Sequence, residues 1–581
     1  MDKNISRRSA LKFVAAGVVA TGVTSCTHSP SSNGLALSKT GTELTTSAWQ
    51  KTHDRVWLGG EYWANPMEDW RVNNGGAECL SRGGNRSIHS LTHQLTHLDQ
   101  AFEMSVQLSR TALHKNDGGA GIRLGVQSEL NEHRSNCFVQ AGYDLGIQGN
   151  DLVLGNQKQP LTIELDKQTV TLALKAEPQI GAMALSLIAT VTDTGQVIGE
   201  LNHLVPADEL RGNVALVSNF AIEALTTPNA PESKLGSRYR FSDWAMQGEA
   251  FAVTDDNKFG PILWTMHTLS DSRNDEGFVM KLSAYTGPMG IKDSQVVELQ
   301  IQKNNQWQSL GEAKLDTDAW VATFRVPKWD EKQATPYRVV YREQHADGTE
   351  TPDIYDGTIQ ANPVGRPLRM AALTCQNDIG FPYEPVANNV IKLNPDIVFF
   401  SGDQIYETHG GFGFIREPAE LCILNYLRKF YQFGWAFRDA MRNQPTVVLP
   451  DDHDVLQGNL WGESGAPIAN IEKDPSASIL GGYAEPARVV NMVHRTSVNH
   501  HPDSYDPTPV LRGITSYYGE LVYGDVSFAI LTDRQWKSGP ERIDVHVGVT
   551  GEDEDPLFIN PKFNPPGLDL LGNRQETFLA K

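Results

Sequence analysis

From about Val56 to Phe251, apolar and polar positions alternate in short runs such as Phe102 to Leu108, Gly121 to Val126, Val170 to Leu174 and Ala184 to Val191. A period of two places every second side chain on one face, so each run predicts a half-buried strand. Turn clusters separate them, among them Asn116-Asp117-Gly118-Gly119 and Gln148-Gly149-Asn150-Asp151. This spacing predicts an antiparallel β-sandwich over residues 48–256. A second set, including Phe278 to Ala284, Val296 to Gln302, Trp320 to Val326 and Pro336 to Arg342, predicts another sandwich over residues 257–363. Pro363-Val364-Gly365-Arg366-Pro367 reads as the linker out of it.

Beyond Arg366 the pattern changes to strands followed by helices. Leu368 to Leu373, Ile397 to Phe400 and Thr446 to Leu449 are short apolar strands. Between them Pro385 to Leu393 and Leu421 to Arg442 have helical spacing. The strands end at Thr374-Cys375-Gln376-Asn377, at Ser401-Gly402-Asp403 and at Asp451-Asp452-His453-Asp454. In an open α/β sheet the ligand crevice lies beyond the carboxyl ends of the strands, so the three clusters are expected to converge. Each alone is a common turn or helix cap. Together they bring carboxylates, an imidazole, a thiol and a phenol to one rim, a donor set suited to di- or trivalent metal ions.

Composition narrows the classes without choosing among them. The chain has 581 residues, 40% apolar and 21% charged, which is ordinary for a folded protein of several domains. The formal charge of -20 repels a phosphate backbone, so no nucleic-acid partner is expected. The five cysteines form no CxxC pair, which argues against a zinc ribbon or a dense disulfide framework. Residues 1–26 read as an export signal: the apolar stretch Phe13 to Val23 is shorter than the ~20 residues that span a bilayer. Arg7 and Arg8, followed by Leu11 and Lys12, resemble a twin-arginine signal. Val23-Thr24-Ser25-Cys26 resembles a bacterial lipobox, with Cys26 as the lipidated residue. Residues 27–47, rich in Ser, Thr and Gly, read as a flexible tether. The expected location is therefore exported and membrane-anchored, periplasmic or at the cell surface, with the membrane and the twin-arginine machinery as partners.

Glu61-Tyr62-Trp63-Ala64-Asn65 with Glu68-Asp69-Trp70 resembles the opening of concanavalin A-like jelly rolls, and the second sandwich fits a fibronectin III- or immunoglobulin-like domain. Trp63 and Trp70 fit either carbohydrate stacking or the core, and the core is the better match to their type. Gly402-Asp403-Gln404-Ile405-Tyr406-Glu407 and Asp451-Asp452-His453-Asp454 resemble the motifs of the alkaline phosphatase D (PhoD-like) branch of the calcineurin-like metallophosphoesterases. The resemblance covers residues 366–581 and implies an αββα metallophosphoesterase domain. It implies Cys375 as a thiolate ligand, Asp403 as a carboxylate bridging two cations, Tyr406 as a ligand of ferric iron, and Asp452 as a ligand or phosphate contact. His453 would protonate the leaving oxygen, Asp454 would orient the imidazole, and Asn459 would contact substrate. Fe3+ plus Ca2+, or another divalent ion, would make a dinuclear centre for hydrolysis of phosphate monoesters or diesters by a hydroxide formed on the metals. Arg416, Arg438 and Arg534 are the nearby candidates for holding non-bridging phosphoryl oxygens, and each reads more readily as a surface or ion-pair residue.

PhoD-like chains continue past an Asp-x-Arg strand, here Thr532-Asp533-Arg534, to a later histidine motif. Leu571 to Leu579 looks like the start of the intervening helix, and the sequence ends at Lys581, so a C-terminally incomplete domain is expected. His494, His500 and His501 sit in a polar stretch and read as surface residues, with approach of His500-His501 to the site as the alternative. The alternative function is a non-catalytic or truncated surface lipoprotein whose jelly roll binds glycan.

Overall fold

The computed structural model describes residues 39–163, 166, 168–225, 231–542 and 565–581. The signal, Cys26 and most of the expected tether lie outside the described residues. The tether was expected to run to residue 47, but Lys39–Thr46 is a strand, paired antiparallel with the long strand Arg238–Val253. Its four threonines supply the β-branched content that an edge strand favours.

The first sandwich is one curled antiparallel sheet. Its path runs from Gln157–Pro160 through Ala120–Val126, Arg86–Leu95 and Arg238–Val253 to Val197–Pro206. The ends of the path meet, for Gln159 Oε1 accepts the Glu200 N–H at 2.9 Å, so the sheet is nearly closed. Alternation does what the pattern predicts: Val170, Leu172, Leu174 and Ala176 point into the core while the residues between them do not. Trp63 and Trp70 are buried, which makes them core residues and removes them as an exposed sugar platform.

The second sandwich packs a three-stranded sheet (Ile262–Asp271, Phe278–Thr286, Val321–Val326) against a four-stranded one (Gln306–Lys314, Val296–Lys303, Thr335–Gln344, Glu350–Ile359). Ile262–Asp271 is buried at every position up to Ser270. One of its faces meets the opposite sheet and the other meets a long helix, Ala419–Met441, so alternation is lost. Trp264 lies on Gly434 and against Phe430 and Tyr431 of that helix. The helix is buried nearly all round, as a helix enclosed by layers must be.

Its other side supports a parallel sheet of Met370–Leu373, Ile397–Phe400 and Thr446–Val448, with Ile397–Phe400 central. Phe400 packs edge-on to Phe433 and Phe437 of the helix. Helices Glu384–Leu393 and Ala487–Val498 and the hairpin Gly519–Tyr523/Val526–Ile530 complete this region, and Gly572–Leu579 is helical as expected. Among the described residues the hairpin is a separate two-stranded sheet, so these strands do not form the two-sheet αββα layers. His494, His500 and His501 are buried, not on the surface. His500 Nε2 bonds the Thr446 carbonyl at 2.9 Å, and His501 Nε2 accepts the Val448 N–H at 3.0 Å. Backbone groups of the edge strand thus take up one nitrogen of each of these two rings, which a polar reading of the sequence could not anticipate.

Candidate metal centre

The three parallel strands deliver their terminal clusters to one rim. Cys375 Sγ lies 3.5 Å and Tyr406 Oη 3.0 Å from the same oxygen, Asp403 Oδ2. Asp403, Asp452 and His453 each offer a donor atom, and these atoms lie within 4.8 Å of one another. Cys375 is exposed at this rim rather than buried and inert. Five residues that sequence reasoning singled out are therefore brought together.

The backbone is bent to do this. Cys375 and Asp403 have φ of 55° and 56°, a left-handed conformation that costs a residue other than glycine about 1–3 kcal/mol. Asp454 offsets that cost from below. Its carboxylate accepts the N–H groups of Asp403, Gln404, Ile405 and Asp451 at 2.9, 3.0, 3.3 and 2.8 Å. It holds both metal-side loops together and does not touch the imidazole, which corrects the expected role of Asp454. The partner of His453 is Glu407, whose Oε2 is 2.8 Å from Nδ1. That leaves Nε2 free for chemistry. The only sequence signal for Glu407 was its place directly after Tyr406.

Arg534 is the second residue that the sequence reading set aside. Its Nε lies 2.9 Å from Asp451 Oδ1, its Nη1 3.6 Å from Asp452 Oδ2, and Nη1 donates to Asn459 Oδ1 at 2.7 Å. It therefore stands at the rim, and Asn459 reaches the site through it. Arg416 instead pairs with buried Glu485 at 2.5 Å, and Arg438 lies over the Phe259 ring.

The charges are poorly matched without a cation. Burial and Asp452 push the Asp451 carboxyl up to about 7 against Arg534, and burial and Asp403 push Asp452 up. Burial, Cys375 and Asp403 push the Tyr406 phenol up as well. Burial lowers His453, but Glu407, Asp403 and Asp452 more than reverse this and raise it to about 9. Asp403 Oδ1 is buried and has no hydrogen-bond partner among the described residues. A cation among these donors would reverse the repulsion and satisfy that oxygen, so the residues present fit a metal ion.

No family model matches the chain, and no curated protein matches it. Among solved structures, the chain is similar to a basic winged bean lectin with Tn-antigen at 10% identity, covering 36% of this chain and 98% of that one, with a TM-score of 0.25. The VIP36 exoplasmic/lumenal domain in its Ca2+/Man2-bound form matches at 11% identity over 32% of this chain and 79% of that one, TM-score 0.21. A Bacteroides uniformis beta-glucuronidase matches at 10% identity over 60% of this chain and 47% of that one, TM-score 0.18.

Proposed function

We propose that this chain is an exported, metal-dependent hydrolase of phosphate esters related to the PhoD-like metallophosphoesterases. The observation that carries the reading is the convergence of Asp403, Asp452 and His453 donor atoms within 4.8 Å, with Cys375 and Tyr406 on Asp403 Oδ2. Cys375, Asp403 and Tyr406 would hold the first cation. A phenolate ligand suits a strong Lewis acid, since a free tyrosine titrates near ~10, so ferric iron is the proposed occupant. Asp403 and Asp452 would hold a second, hard divalent ion such as calcium. Bound cations supply Lewis acidity to the phosphoryl group and to the attacking water.

The residues of the chain do the rest. Arg534 faces the rim and binds non-bridging phosphoryl oxygens, with Asn459 fixing its guanidinium. His453, held at Nδ1 by Glu407, gives the Nε2 proton to the departing alkoxide. Asp454 keeps the two ligand loops in register. Lipid at Cys26 would tether the enzyme outside the cytoplasm by the tail ahead of the first sandwich.

Elemental analysis and hydrolysis of bis-p-nitrophenyl phosphate and p-nitrophenyl phosphate by the Cys26→Ser chain, beside Asp403→Asn, test the reading. Bound metal and turnover, both lost in Asp403→Asn, are expected. Tyr406→Phe should also lose any visible phenolate-to-iron absorption. A folded protein with neither metal nor turnover overturns it.

A second reading, glycan binding by the first sandwich, is favoured by a cavity of about 150 Å³ lined by Tyr62, Ser90, Thr92, His93, Asp255 and Lys258. Hydroxyls with one aromatic ring suit a sugar. Calorimetric titration with simple saccharides tests it, and Thr92→Val should abolish any heat.

A further inference from the structure

The long helix carries buried polar residues on one face, among them Asn425, Arg428 and Lys429, and among the described residues none of these three touches the candidate metal ligands. A charge buried without partners costs several kcal/mol, so what these groups bond to shows what they hold. Lys429 Nζ donates to the carbonyls of Glu407, His409 and Gly413 at 2.8, 3.0 and 3.0 Å. Three acceptors match the three N–H bonds of an ammonium. Arg428 donates to the carbonyls of His409 and Gly411 at 3.1 and 3.2 Å. The two side chains are thus wrapped by one segment, Glu407 to Gly413. Gly410 and Gly411, with φ of 69° and 73°, let its carbonyls turn inward.

The counter-charge comes from a residue 360 positions away in the sequence. Glu68, in the first sandwich, bonds Arg428 Nε through Oε2 at 3.0 Å and Asn425 Nδ2 through Oε1 at 2.7 Å. Both members of the ion pair are buried, with side chains 0% and 3% exposed. The wrapped segment begins at the residue whose side chain holds His453 Nδ1, and the residue before it is Tyr406.

We infer that the first sandwich is part of the catalytic apparatus: Glu68, through Arg428 and Asn425, positions the segment Glu407–Gly413, which Lys429 also holds, and so sets Glu407 against His453. The inference rests on the proposed hydrolase reading for its kinetic arm and on geometry alone for the other. Glu68, Arg428 and Lys429 are positioning residues. A glycan-binding module merely appended to an enzyme would have no reason to send a buried carboxylate into the support of the acid.

The test uses the full chain carrying Glu68→Gln, Glu407→Gln and both together. Backbone hydrogen exchange of residues 407–413 should speed up about 10-fold in Glu68→Gln, while the parallel-strand amides keep their protection. With bis-p-nitrophenyl phosphate, kcat should fall about 10- to 100-fold with KM within about twofold. The double variant should be no slower than Glu407→Gln alone, because Glu68 acts through Glu407. Multiplying losses, or unchanged exchange and kcat, overturn the inference. If the unmodified chain turns over none of the esters, the hydrolase reading fails and the exchange arm alone decides the positioning claim. If Glu68→Gln does not fold, Asn425→Ser removes one Glu68 contact without a charge change. It should then show the same exchange and kcat pattern at smaller amplitude, and its failure to do so overturns the inference.

Discussion

At the residue scale the outcome turns on which atom each side chain meets. Asp403 and Asp454 are both aspartates at strand ends, yet one presents an unpartnered oxygen to the rim and the other receives four backbone N–H groups. Asp454→Asn puts an NH2 where N–H donors point, leaving buried donors unmade. We expect a loss on the order of 3 kcal/mol by denaturant unfolding, with weaker metal binding. Asn459→Ala, at the rim, should change stability by no more than about 0.5 kcal/mol while raising KM for phosphate esters, because Arg534 loses its brace. The sequence made Cys375, Asp403, Tyr406, Asp452 and His453 legible because each follows a strand closely, so topology alone brings them near. Glu407 and Arg534 were not legible as partners of the site, since their orientation depends on a loop and on a segment about eighty residues downstream.

At the element scale, short apolar runs gave the parallel strands nearly to the residue, Ile397–Phe400 without change, because a central strand covered on both faces needs a continuous apolar run. The long helix was equally legible in extent. Its environment was not: nothing in the helical spacing marks Arg428 and Lys429 as interior, and both are buried. Gly434 would be expected to weaken a helix by about 1 kcal/mol relative to alanine. Here a Cβ would lie 2.4 Å from the Trp264 ring, so close approach outweighs propensity. Gly434→Ala should therefore lower stability, by about 1 kcal/mol or more, read as a reduced denaturant midpoint.

At the scale of the whole molecule, three histidines meet where the second sandwich joins the parallel sheet. Burial pushes His267 and His501 down to about 3, and burial with its neighbour His501 pushes His500 down. Unfolded histidine titrates near ~6.5, so between about pH 6.5 and 3 the unfolded chain binds more protons than the folded one. Stability conferred by the neutral rings is complete above that range and is lost as pH falls through it, at up to about 1.4 kcal/mol per pH unit for each ring. Both His267 nitrogens lack hydrogen-bond partners, so His267→Leu removes a proton acceptor without orphaning another group. The melting temperature of His267→Leu should fall less than that of the parent chain between pH 7 and 5. An equal fall would show that this ring does not set the acid limit.

Periodicity and turn chemistry determined two sandwiches, a strand–helix region and the ends at which chemistry collects, because those signals are local and repeat along the chain. Residue type also placed Trp63 and Trp70 in the core before any contact was known. Only the tertiary structure decided that Lys39–Thr46 is a strand, that three histidines are interior, that Glu407 rather than Asp454 holds His453, and that Glu68 reaches the helix behind the site. Each of these depends on a partner distant in sequence, and a side chain's burial and hydrogen bonds follow from what packs on it rather than from its own polarity.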